Sequence, residues 1–107
     1  MLGSKIGAGL RIIHPIGIVI WGGTVIGKNF TLRQNTTIGT TRPKNKPITI
    51  GDNVNVGAHC CIIGDGISIG SNVLIGAMSH IKSDVPDNCT YFTEKKQGYN
   101  KRGEKIL

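Results

Sequence analysis

Aromatic residues are scarce in this chain of 107 residues: one Trp, two Tyr and two Phe. That argues against a helical core packed around rings and against a nucleic-acid module, for which no recognition helix is in sight either. Acids are scarce as well. Six Asp+Glu face 13 Lys+Arg, leaving a net charge of +7, a field that favours anionic ligands without choosing among them. Three cysteines, two of them adjacent at Cys60 and Cys61, make a poor disulfide framework, and the C-x-x-C pair of a zinc site is missing, so reduced thiols are expected. No apolar run approaches the ~20 residues of a membrane helix, and the N-terminus lacks the basic, apolar and small-residue order of a secretory signal. The expectation is a cytoplasmic protein that engages neither membrane nor nucleic acid.

What the chain has instead is rhythm. An aliphatic residue returns every sixth position at Ile20, Ile26, Leu32 and Ile38, then at Ile50, Val56 and Ile62, then at Ile69, Ile75 and Ile81. Six of these are followed by glycine (Gly27, Gly39, Gly51, Gly57, Gly70, Gly76), and four residues on lies a small or apolar side chain such as Thr24, Thr36, Val54, Cys60, Val73 or Ser79. A period of six fits neither helix nor plain strand; it is the hexapeptide signature of a parallel β-helix. Each short strand turns two side chains inward, and the glycine is expected to let the backbone round a corner where a Cβ would be strained. Three sides close one triangular coil. The fold class is therefore all-β, a left-handed parallel β-helix of about four to five coils. Residues 1–92 form the β-helix domain. Residues 93–107, where the rhythm has stopped and Lys95, Lys96, Lys101, Arg102 and Lys105 gather, read as a short basic solvated tail. A prism this thin buries a modest share of its surface and is expected to need partner copies.

The rhythm fails in three places, and local failures of a sequence rule tend to mark function or strain. From Ile12 to Ile20 the spacing is eight, with the surplus in Ile13-His14-Pro15-Ile16-Gly17. From Ile38 to Ile50 it is twelve, with Lys44 at the middle position inside a basic loop that runs from Thr40 through Arg42 and Pro43 to Lys46 and Pro47. From Ile62 to Ile69 one extra residue enters at Gly64-Asp65-Gly66, a turn whose expected purpose is geometric. Corner counting puts the first two breaks at neighbouring corners, so in a side-by-side trimer the bulge of one prism would face the loop of the next.

The run His14-Pro15-Ile16-Gly17-Ile18-Val19, then Val25-Ile26, Gln34 and Thr36-Thr37-Ile38-Gly39, resembles the catalytic domain of bacterial serine acetyltransferases and their capsule-associated relatives, from about Ile6 to Val85. The resemblance implies a homotrimer that transfers acetyl from acetyl-CoA to a hydroxyl of serine or a sugar, in a cleft between subunits. It implies His14 as general base; imidazole titrates near neutrality and suits that task. CoA is expected along the groove at Gly57, Ala58, Gly76 and Ala77, with Lys82 nearby. Gly39, Thr40, Arg42, Lys44 and Lys46 form the expected acceptor or phosphate loop, and Gly39 and Gly17 are candidate oxyanion donors. Two residues depart from the family: Ile13 stands where an aspartate precedes the histidine, and Lys46 replaces the loop histidine before the proline. The family's orienting carboxylate maps upstream of Met1, so the alternative expectation is a truncated or non-catalytic trimeric β-helix lacking the base's partner.

No metal is expected. His59 and His80 are offset by 21 residues, out of step with the stacking, and do not converge as tetrahedral zinc requires. Cys60 is expected in the core, and Cys61 beside His80 on the next coil.

Overall fold

The computed structural model describes residues 4–40 and 46–93. Thirteen strands of two or three residues follow one another: β1 (Lys5–Ile6), β2 (Arg11–Ile12), β3 (Val19–Ile20), β4 (Thr24–Ile26), β5 (Thr31–Leu32), β6 (Thr37–Gly39), β7 (Ile48–Ile50), β8 (Asn55–Val56), β9 (Cys61–Ile63), β10 (Ser68–Ile69), β11 (Leu74–Ile75), β12 (His80–Ile81) and β13 (Thr90–Tyr91). Strands three apart pair in parallel, and β13 pairs with β11, giving three sheets: β1-β4-β7-β10, β2-β5-β8-β11-β13 and β3-β6-β9-β12. This is the expected left-handed prism of about four turns, and the described residues contain no helix. Its first corner follows the β1 sheet, its second follows the β2 sheet and carries His14, and its third follows the β3 sheet.

The rhythm reads the interior correctly. Ile20, Ile26, Leu32, Ile38, Ile50, Val56, Ile62, Ile69, Ile75 and Ile81 are buried, and so are the small or apolar residues of the second inward position, Cys60 among them. The aliphatics stack in register, Ile6 over Ile26 over Ile50 over Ile69. Coil length varies around that register: 20 residues from Ile6 to Ile26, 24 to Ile50, 19 to Ile69 and 16 to Val85. The last coil is short because the third corner there contracts to Lys82-Ser83-Asp84, which the six-residue count does not reveal.

The expected reason for the glycines needs correction. Positive φ falls three residues after an aliphatic, at Asn29, Asn35, Asn53, His59, Asn72, Met78 and Asn88, with Gly9 and Gly17 in equivalent places, and not at the glycines that directly follow the aliphatics. Those glycines are needed because coils approach closely. A Cβ on Gly51 would lie 2.8 Å from the carbonyl carbon of Gly70, and one on Gly57 would lie 2.5 Å from the backbone nitrogen of Ala77. Asparagine tolerates the left-handed region better than other side-chain-bearing residues because its amide bonds locally. Here the amides also bond one another: Nδ2 of Asn29 donates to Asn53 Oδ1 at 3.1 Å, Asn53 to Asn72 at 3.3 Å and Asn72 to Asn88 at 3.1 Å.

A second ladder runs beside the first. The backbone N–H of Lys28 donates to Asp52 Oδ1, that of Asp52 to Ser71 Oγ and that of Ser71 to Asp87 Oδ1, all within 2.9 Å. The first corner is thus tied coil to coil by side chains that engage neighbouring coils.

Candidate functional site

His14 sits on a bulge built by register. The N–H of Ile13 donates to Leu32 O at 3.0 Å and the N–H of Asn35 donates to Ile16 O at 2.8 Å, so Ile13 stacks on Arg33 and Ile16 on Gln34. His14 and Pro15 are the two residues inserted between those rungs. The N–H of Ile16 reaches back to His14 O at 2.7 Å, closing a three-residue turn around Pro15, whose ring fixes φ. Gly17 then takes φ +65°, a conformation that favours glycine. The ladder resumes at Val19 opposite Thr37. The imidazole of His14 is exposed at the head of the second corner.

Below it on the same corner come Arg33-Gln34-Asn35, then Gly57-Ala58-His59, then Gly76-Ala77-Met78, stacked by the His59 N–H on Gln34 O (3.0 Å) and the Met78 N–H on Ala58 O (2.8 Å). His14, Gly57, Ala58, Gly76 and Ala77 are therefore brought to one edge of the chain. The two glycines open no cavity of their own, because the Cβ side of Gly57 faces the Ala77 backbone and that of Gly76 is covered by the Phe92 ring. The edge exposes Ile16, Asn35, His59, Ala77 and Met78, with Ala58 half-buried among them. Arg33 lies against this edge, its guanidinium Nη1 donating to Asn55 Oδ1 and, at 3.1 Å, to Val56 O.

Lys82 is a correction: it does not accompany Gly76 and Ala77 but stands at the third corner, beyond β12. There it joins Gly39, Thr40 and Lys46. The Gly64 N–H donates to Gly39 O at 3.2 Å, and a Cβ on Gly64 would lie 3.4 Å from Lys82 O, so the three follow one another down that corner. Arg42 and Lys44 lie outside the described residues. The Lys46 stem rests on Gly66, where a Cβ would come within 3.0–3.1 Å of it. Gly66 has φ +67°, so the extra residue in the Gly64-Asp65-Gly66 corner gives Lys46 a seat, which the sequence reading treats as geometry alone. Gly39 differs from the other corner glycines: a Cβ there meets nothing described within 4 Å.

One chain does not bring the second and third corners together, since the β3 sheet separates His14 from Lys46. Of the two candidate oxyanion donors, Gly17 shares the corner of His14 and Gly39 does not. A depression of about 410 Å³ lined by Ser68, Gly70, Asp84, Val85, Pro86 and Asp87 contains no second-corner residue, and its carboxylates already accept the N–H groups of Ser68 and Ser71.

Inside the prism behind the second corner, small polar residues replace apolar ones. Thr36 Oγ1 donates to Gly57 O at 3.4 Å, and Cys60 Sγ (3.2 Å) and Ser79 Oγ (2.6 Å) both donate to Gly76 O. Burial pushes the Cys60 thiol up from its ordinary value of 9.0. Cys61 pairs with His80 in register, as expected, and no group of three or more metal-ligating side chains occurs among the described residues. Among the described residues two buried side-chain oxygens have no hydrogen-bond partner: Thr24 Oγ1, near the third corner, and Oε1 of Gln34, the residue on the rung under the His14 bulge.

Residues 47–79 match the family model described as the hexapeptide repeat of succinyl-transferase. A serine acetyltransferase of Staphylococcus aureus is 44% identical over 91 residues, covering 82% of this chain and 42% of the relative. The serine acetyltransferase of Synechococcus elongatus is 38% identical over 90 residues, covering 82% of this chain and 36% of the relative. Among solved structures, Neisseria gonorrhoeae serine acetyltransferase in complex with serine superposes with a TM-score of 0.75 at 35% identity, over 82% of this chain and 36% of that one. Serine acetyltransferase isoform 3 of Entamoeba histolytica, in complex with cysteine, gives 0.81 at 34%, over 92% and 35%. The chain thus spans about two fifths of the length of the curated relatives it matches.

Proposed function

This chain is a serine acetyltransferase-like hexapeptide-repeat protein, and from that premise we propose that it transfers the acetyl group of acetyl-CoA to the hydroxyl of serine, with His14 as general base. The observation that carries the reading is the two-residue bulge: Pro15 and Gly17 lift an exposed imidazole out of a ladder that is regular on either side of it.

In the reaction the neutral imidazole takes the hydroxyl proton as the oxygen attacks the thioester carbon. The tetrahedral intermediate then expels the CoA thiolate, which recovers the proton from the imidazolium. The Gly17 N–H, on the same corner, suits the developing oxyanion. The second-corner edge offers Ala58 and Ala77 as a smooth track for the pantetheine arm. The third corner offers the seated Lys46, with Lys82 below, to phosphates or to the acceptor carboxylate.

The prism is a homotrimer in this reading, with the third corner of one copy lying against the second corner of the next. That packing supplies the loop cation which a single chain keeps a sheet's width away from His14. A sugar hydroxyl is the alternative acceptor.

The test is release of free thiol from acetyl-CoA in the presence of serine or a panel of sugars. Serine-dependent release by wild type, falling about 10²- to 10⁴-fold in His14→Ala with the fold unchanged by circular dichroism, supports the assignment. Release only with sugars moves the acceptor. Trimers without turnover on any acceptor would mean a non-catalytic β-helix.

A further inference from the structure

The second corner holds two imidazoles, His14 and His59, and no carboxylate: among the described residues it comprises Ile13 to Gly17, Arg33 to Asn35, Gly57 to His59, Gly76 to Met78, Phe92 and Thr93. The carboxylates of Asp52, Asp84 and Asp87 are engaged elsewhere, with the backbone N–H groups of Lys28, Ser68 and Ser71. A general base still needs an acceptor for the N–H of its second nitrogen, because that bond decides which ring nitrogen is left to take a proton.

One unengaged acceptor lies in place. Gln34 Oε1 is shut off from solvent with no partner, and Gln34 stacks directly under Ile16, one coil below the inserted His14-Pro15 pair. Coils in register lie about 4.8 Å apart, a gap that a glutamine side chain spans. A buried carbonyl without a donor costs about 1–3 kcal/mol, so a donor that swings in from the bulge gains more there than at an exposed oxygen. The Pro15 turn holds the backbone of His14 through the bond from Ile16 to its carbonyl, which leaves rotation of the ring as the remaining adjustment. Arg33, the other long polar side chain on that rung, is already held by Asn55 and Val56, and as a pure donor it cannot serve an N–H.

We propose that Gln34 is the positioning residue of His14: its amide oxygen accepts the Nδ1–H of the imidazole and thereby reserves Nε2 for the hydroxyl proton. This rests on the assignment of His14 as base. A neutral amide fixes the tautomer without stabilising the imidazolium as a carboxylate would, so the base it makes is correctly oriented and modest in strength.

The experiment has two arms, on wild type, Gln34→Met and Gln34→Glu in the full chain. Two-bond proton–nitrogen correlation spectra of the histidine rings, with the His14 signals identified by His14→Ala, report the tautomer. Steady-state kinetics with acetyl-CoA and serine report the chemistry. Wild type is expected to hold His14 as the Nδ1–H form and Gln34→Met to lose that preference. In Gln34→Met, kcat falls about 10- to 100-fold, by analogy with partners that orient metal-bound histidines, KM for acetyl-CoA stays within about twofold, and the melting temperature is not lowered. Gln34→Glu retains activity, and the acidic limb of its kcat/KM profile moves up by about one pH unit, because a carboxylate favours the protonated ring.

Unchanged tautomer and kcat in Gln34→Met overturn the proposal, and so does a wild-type His14 carrying its proton on Nε2, the state an amide turned the other way would impose. Loss of stability without a tautomer change marks a structural role and overturns it too. Should wild type turn over no acetyl-CoA, the assignment of function fails, while the spectra still decide on Gln34. If Gln34→Met does not fold, Gln34→Asn, which keeps the amide and shortens its reach, supplies the same comparison.

Discussion

The first and second corners of the prism solve the same backbone problem with different side chains. At the first, the left-handed position is taken by Gly9 and then by Asn29, Asn53, Asn72 and Asn88, whose amides bond one another, and Asp52, Ser71 and Asp87 receive the N–H groups of the coil above. Phe30, Val54 and Val73 fill the interior behind. At the second corner the same position passes through Gly17, Asn35, His59 and Met78, the asparagine ladder is lost, the interior turns polar at Thr36, Cys60 and Ser79, and Gln34 keeps an unpartnered oxygen. One corner ties its coils together through side chains; the other keeps the buried Gln34 oxygen without a donor. That contrast separates a corner built to stabilise from the corner on which the proposed function places its chemistry, on a scaffold whose strands are the same for both.

Substitutions that ignore the contrast should break it, and the largest effect belongs to the close approach of coils. Gly51→Ala drives a Cβ to 2.8 Å from the Gly70 backbone and is expected to cost about 1–3 kcal/mol or more. Gly39→Ala, which meets nothing described, should stay within about 0.5 kcal/mol; urea denaturation of the pair measures the difference. Next comes the ladder: Asn53→Ala gives up bonds to both Asn29 and Asn72 and places alanine at φ 57°, for about 2 kcal/mol, while Asn53→Gly should lose visibly less. Equal losses would mean that the amides contribute nothing. His59→Asn moves the second corner toward the first and should add about 0.5 kcal/mol, read as a rise in melting temperature.

The smallest effect is one of pH. The fold raises the Cys60 thiol above its ordinary 9.0, so the unfolded chain ionises first. This contribution is fully present below pH 9 and declines as pH rises through and beyond it. Cys60→Ala should lose part of the alkaline destabilisation seen by denaturant titration at pH 8 and pH 10.

The interior of the fold was legible because inward positions must be apolar or small, and a three-sided coil repeats that demand every six residues. The His14 bulge was legible for the converse reason: two residues too many cannot stay in the ladder. Gln34 enters the sequence reading only as part of the family resemblance and Arg33 not at all, because an aliphatic period carries no information about side chains that lie off the apolar column. The asparagines three places after Ile26, Ile50, Ile69 and Val85 were visible in the sequence. The hexapeptide pattern assigns the turn to glycine, and only the φ angles show that asparagine takes the left-handed position. The seat of Lys46 on Gly66 joins residues twenty apart in the chain, and only stacking reveals it.

The 24-residue coil has one more consequence. Ile38 meets Ile62 before the long third-corner insertion, and Ile48 meets Thr24 after it, so the rungs hold register on both sides of a socket. Such a socket accepts a different cassette without any revision of the rungs around it. Under the proposed function, a descendant of this protein could exchange one alcohol for another by rewriting a handful of codons there, leaving His14 on another corner of the same chain untouched.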